Sequence, residues 1–228
     1  MMHYLKKNIL IALGLVVGVH AHAGMMEDPW IGQVRFDKLE LDPEESTSQH
    51  WEMQAKLYQN LSGFIFTSEG ERTPEGSESE NMLLYSKGFK PYWDWQMGIG
   101  HNTGDNQSNH AVVGIAGMAP YFFETSAYIK ANGDGAILQA RAERDYLLTQ
   151  RLILSPEVEL VAASQSQPEH TIGQGLNSIT LGLRLRYELS RKFAPYAGIT
   201  WQQNFGETNA LTHTKEDASM IVGVKFWF

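Results

Sequence analysis

Cysteine is absent from the 228 residues. A secreted domain often leans on disulfides, so this chain must be stable through a large hydrogen-bond network or a large core. Beyond the first two dozen residues there is also no long apolar run, which excludes a transmembrane helix in the remainder, since such a helix needs roughly 20 apolar residues. Lys and Arg are scarce: 18 against 26 Asp and Glu, a formal net charge of −8. Phosphate recognition needs clustered Lys and Arg, so nucleic acid is not an expected partner. An acidic balance favours cations or simple solubility.

The start of the chain reads as a secretory leader. Lys6 and Lys7 form a charged region, Asn8 to Val19 an apolar stretch, and Ala21-His22-Ala23 a small-x-small cleavage pattern. The expected organisation is a leader over 1–23, a short segment over 24–30 and one domain over 31–228. Loss of the leader removes two Lys and leaves a net charge of −10.

Mean hydropathy is −0.30, a value shared by soluble proteins and by transmembrane barrels, whose inner face is polar. Periodicity separates the two. After Gln33, apolar and polar residues alternate at period two, the signature of strands. The clearest run is Ile179 to Leu189, with Ile179, Leu181, Leu183, Leu185, Tyr187 and Leu189 on one face. Thr180, Gly182, Arg184, Arg186 and Glu188 form the other. The segments are about ten residues long, the length a tilted strand needs to cross a bilayer, whereas soluble strands are nearer five or six. Aromatic pairs such as Tyr92-Trp93 and Tyr121-Phe122 sit at segment ends, where amphipathic rings favour a membrane interface.

The expected fold is all-β: a transmembrane antiparallel up-and-down β-barrel of twelve strands. They fall near 31–41, 50–59, 62–72, 79–88, 92–101, 110–119, 121–131, 136–147, 151–163, 177–189, 195–205 and 218–228. Tight turns alternate with longer loops at 42–49, 73–78, 102–109, 132–135, 164–176 and 206–217. An even count puts both ends on the periplasmic side. The last eight residues, Ile221 to Phe228, have Gly223 five places before the last residue and end in Phe. They are similar to the terminal sorting signal of bacterial outer-membrane barrels, apart from Ile221, where a polar residue is usual.

Strand parity assigns Glu52, Lys56, Asp94, Arg141, Glu143, Arg151, Glu157, Glu159, Arg184, Arg186 and Glu188 to the lumen. Charges away from bulk water must be paired, so this set reads either as a structural network filling a narrow barrel or as the lining of a selective pore. The long loops are acidic and hold or adjoin His50, His101, His110, His170 and His213. Imidazole suits copper and other late transition metals, and thioethers suit Cu(I), which adds Met25 and Met26 to the candidate ligands. Met53, Met82, Met97 and Met220 read as packing residues. Ser108-Asn109-His110 carries no activating geometry for a hydrolase, and no catalytic residue is assigned. A general anion or sugar channel is the main rival reading.

Several blocks in order resemble the copper resistance protein B family: Asp37-Lys38-Leu39-Glu40, Glu69-Gly70-Glu71-Arg72, Pro91-Tyr92-Trp93-Asp94, Ala119 to Glu124, Leu147 to Leu154, Gly173 to Leu176, Leu181 to Glu188 and Phe193 to Tyr196. The resemblance implies a place in the outer membrane in contact with its lipid, and copper ions as ligand rather than cofactor. It also implies a role in copper tolerance, by binding or efflux, beside a periplasmic multicopper oxidase. Many members carry a Met- and His-rich tract ahead of the barrel. Here that stretch is only Gly24 to Trp30.

Overall fold

The structure, a computed structural model, describes residues 28–43, 48–74, 76–104, 107–167, 172–212 and 216–228. The leader, Met25, Met26, His170 and His213 lie outside them.

Antiparallel strands follow one another around a closed ring. They are β1 (Ile31–Leu41), β2 (Gln49–Gln59), β3 (Ser62–Arg72), β4 (Ser77–Lys90), β5 (Trp93–Thr103), β6 (Ser108–Ala119), β7 (Phe123–Asn132) and β8 (Gly135–Glu143). After a two-residue β9 (Tyr146–Leu147) come β10 (Leu152–Ala163), β11 (Gly175–Tyr187), β12 (Phe193–Asn204) and β13 (Glu216–Trp227). Each strand pairs with its chain neighbours, and β13 pairs with β1 to close the ring. The segments β8 and β9 both pair with β10 on one edge, so the barrel has twelve staves, as the period-two pattern predicts.

The break between β8 and β9 has a local cause. Pro156 of β10 faces that edge, where its carbonyl accepts from Arg144 N at 3.2 Å. Lacking an N–H, it cannot return the bond, and a proline inside a sheet is tolerated only at an edge or irregularity. The stave is interrupted at Arg144 and Asp145, opposite it.

The outer wall is apolar, as the alternation predicts. Phe64 and Phe66 of β3, Leu83 and Tyr85 of β4, Trp95, Met97 and Ile99 of β5, and Leu181, Leu183, Leu185 and Tyr187 of β11 are all exposed. Water would make such a surface untenable, and hydrocarbon is its natural solvent. At the short-turn end Tyr92, Tyr121 and Phe122 are 78%, 78% and 73% exposed, and all three have positive φ, so strained turns aim these rings outward. Cations sit over rings at the same end: Arg144 over Phe123 and Tyr146, Lys192 over Trp227.

Two features depart from the sequence reading. The last long loop contains a short helix, α1 (Gly206–Thr212), tied to the chain before β11 by Gly173 N donating to Thr208 Oγ1 at 2.9 Å. The interior is also not uniformly polar. Ile65, Met82, Leu84 and Val112 form a buried cluster inside β3, β4 and β6, with Tyr58 and Tyr128 packed against it.

Candidate functional site

The site is the lumen, and its geometry begins with an irregularity in β1. The register against β2 slips between Phe36 and Lys38. Phe36 faces outward and stacks on Phe226, centroids 4.6 Å apart. Beyond it, Asp37 is the extra residue of a bulge, which re-aims side chains. As a result Arg35, Asp37 and Lys38 all line the interior, and Glu40 follows them inward. Simple alternation cannot find this set, because the bulge breaks the period.

These side chains meet those of the far wall. Lys38 Nζ lies 2.8 Å from Glu157 and 3.1 Å from Glu52. Arg141 of β8 reaches Glu52 at 2.9 Å, Glu69 at 3.1 Å, Glu157 at 3.2 Å and Glu159 at 2.7 Å. Strands β2 and β8 are six staves apart in either direction around the ring, so the Arg141 to Glu52 pair crosses the full lumen. Arg184 pairs with Glu157 and holds Glu40 at 2.7 Å, and Tyr196 Oη donates to Glu40 at 2.9 Å. The result is a belt of ion pairs across the barrel.

The belt divides the interior into two vestibules. The one toward the long loops is a cavity of about 320 Å³. Its lining has seven carboxylates against Lys38, Arg141 and Arg184, and it includes His50 beside Asp42, Glu71 and Asp217. The one toward the short turns, about 430 Å³, is lined by seven Lys and Arg against five Asp and Glu. Arg35, Lys56, Arg186 and Lys225 supply its excess of positive charge.

Most residues assigned to the lumen by parity lie there. Glu52, Lys56, Arg141, Glu143, Arg184 and Arg186 line the short-turn vestibule, and Glu157 and Glu159 the other. Asp94 accepts from Tyr58 Oη at 3.2 Å and Ser86 Oγ at 3.1 Å. Arg186 pairs with Asp145 at 2.6 Å. Two placements need correction. Arg151 is exposed in the turn before β10, and Glu188 follows the end of β11. Parity points both inward, but the wall ends before them, and what joins them is a backbone bond from Glu188 N to Arg151 O at 2.8 Å. Parity alone missed Arg35, Asp37, Lys38 and Glu40 at the bulge, and also Glu80 and Lys130, which form an ion pair.

The histidines do not gather at one rim. His50 faces the acidic vestibule. His101 is exposed on the outward face of β5, its Nδ1 2.8 Å from Asn109 Oδ1. His110 is buried inside β6, with Nε2 3.0 Å from Glu80 Oε1. Positions 101 and 110 are register neighbours of opposite parity, which sends their rings to opposite sides of the wall. No cluster of three or more His, Asp or Glu arranged to hold a metal ion occurs among the described residues.

Comparison with known proteins agrees with this architecture. Solved outer-membrane barrels share the fold: a NanC porin structure (TM-score 0.55, 13% identity, 86% of this chain and 99% of that one) and a KdgM porin (TM-score 0.50, 14% identity, the same coverages). Copper resistance protein B of Escherichia coli is 34% identical over 203 residues, covering 86% of this chain and 69% of the relative. A homolog from Pseudomonas syringae pv. tomato is 34% identical over 206 residues, covering 84% and 68%. The profile of the copper resistance protein B precursor family matches residues 30–228. The chain therefore belongs to the copper resistance protein B family.

Proposed function

We propose that this barrel sits in the outer membrane and contributes to copper resistance by binding copper ions inside its lumen, not by letting them diffuse freely through it. Family membership supplies the copper role. The apolar outer wall supports the membrane placement. The observation that carries the mode of action is the ion-pair belt. Arg141 reaches Glu52 on the opposite strand and Lys38 reaches Glu157 four staves away, so direct ion pairs cross the path between the vestibules. A general solute channel fits this less well, because a solute would have to pass ion pairs that span the lumen.

On this reading the acidic vestibule opens to the cell exterior, where the long loops lie. Its excess of carboxylates concentrates cations, and His50 supplies an imidazole. The protein acts without catalysis, as a partner of lipid, copper and a periplasmic multicopper oxidase. A copper survival assay of a deletion strain, with membrane fractionation, tests the proposal. Loss of tolerance restored by the full chain, recovered in the outer-membrane fraction, is the expected result. Unchanged tolerance, or recovery in the soluble periplasm, would reject it.

A further inference from the structure

One cluster stands apart from the belt, on the wall formed by β4, β5 and β6. His110, Gly100 and Met82 are register partners in a row across these three strands. The imidazole leans over the bare backbone of Gly100, where an added Cβ would lie only 2.1 Å from Nε2. That nitrogen is therefore directed along the row toward the strand that carries Met82. His110 is 7% exposed and Met82 9%. Glu80, two residues before Met82 and on the same inner face, brings Oε1 to 3.0 Å from Nε2. Yet Nε2 makes no aligned hydrogen bond there or elsewhere.

An imidazole nitrogen, a thioether and a carboxylate form a soft, mixed donor set. Thioether selects Cu(I), and imidazole binds copper in either state. The surroundings decide between the oxidation states. Lys130 pairs with the other oxygen of Glu80, so the carboxylate's charge is already balanced, and Ile65, Leu84 and Val112 enclose Met82. Apolar, charge-balanced surroundings disfavour a hydrated dication far more than a monovalent ion. We infer that His110 and Met82, capped by Glu80, form a Cu(I) site on the lumen wall, separate from the acidic vestibule. This rests on the copper-binding reading above and names a site for it.

The test uses the full chain refolded in detergent and titrated anaerobically with Cu(I) against a chromophoric chelator. X-ray absorption of the one-to-one complex is expected to show both sulfur and nitrogen neighbours. Met82→Leu, which conserves volume, and His110→Ala should each weaken Cu(I) binding by about tenfold or more, since losing even an outer-shell partner acts on that scale. His101→Ala, on the outward face, should change nothing. Gel mobility with and without heating verifies folding, and if His110→Ala does not fold, Met82→Leu carries the test alone. Unchanged Cu(I) affinity in the folded variants, or a spectrum without sulfur, overturns the site. The survival assay is read separately: a strain restored by the full chain alongside insensitive Cu(I) binding rejects this site and leaves the copper resistance role standing.

Discussion

Arg141 is held by four carboxylates, from Glu52, Glu69, Glu157 and Glu159, on three strands besides its own. Removing one partner of a buried ionic cluster strands the others, at a cost of about 3–5 kcal/mol. Arg141→Ala should therefore lower the stability of the refolded barrel toward the bottom of that range, because the vestibules keep part of the cluster hydrated. Urea unfolding in micelles measures it, and a change under about 1 kcal/mol would show the pairs to be superficial. A second residue tests the opposite face. Leu183 is exposed on the outer wall beside inward Arg184, so two consecutive residues meet two different solvents. Leu183→Arg should cost about 2–4 kcal/mol if the position lies near the bilayer midplane, read from folding equilibria in lipid vesicles. A neutral outcome would mean that this wall faces water.

At the scale of the strand, glycines fix where the large rings lie. Gly63 faces Tyr58, Gly100 His110, Gly114 Tyr128 and Gly223 Tyr196, each as a direct cross-strand partner. At Gly114 an added Cβ would come within 2.3 Å of Ala127 O and 2.4 Å of Tyr128 Cδ1. Tyr128 donates to Gln96 at 2.6 Å, so displacing its ring also loosens that bond. Gly114→Ala should destabilise by about 1–3 kcal/mol, the usual cost of overpacking. Gly32→Ala, whose nearest neighbours are 3.9 Å away, should be neutral in the same melt. This scale also shows what the sequence makes legible. Twelve staves follow from alternation and turn residues, because a barrel wall with one apolar face repeats its pattern at every strand. The bulge at Asp37 does not follow, since one extra residue turns a clean alternation into three charged neighbours on one face. Arg151 misleads for the opposite reason: the alternation runs on past the point where the strand stops. His110 and His101 look alike as loop-side histidines, and only the pairing of β5 with β6 sends them to opposite faces.

For the whole molecule, the decisive feature is how charge is distributed along the axis. The vestibule toward the long loops is rich in carboxylates, the one toward the short turns in Lys and Arg, and the belt stands between them. No single strand contains this polarity. It arises because closure of the ring brings residues distant in sequence to the same depth across the lumen, as Lys38 with Glu157 and Arg141 with Glu52. Such an arrangement attracts a cation into one mouth and resists its exit through the other, which suits retention better than conduction. The native barrel should then pass little current in planar bilayers. Replacing both members of the pair that crosses the lumen, Glu52→Ser with Arg141→Ser, removes one charge of each sign and two long side chains. That variant should conduct in clear steps with cation selectivity set by the acidic vestibule, its preference fading as salt screens the carboxylates. Steps of the same size in the native barrel would show that the belt does not close the lumen, and binding would give way to passage as the mode of action.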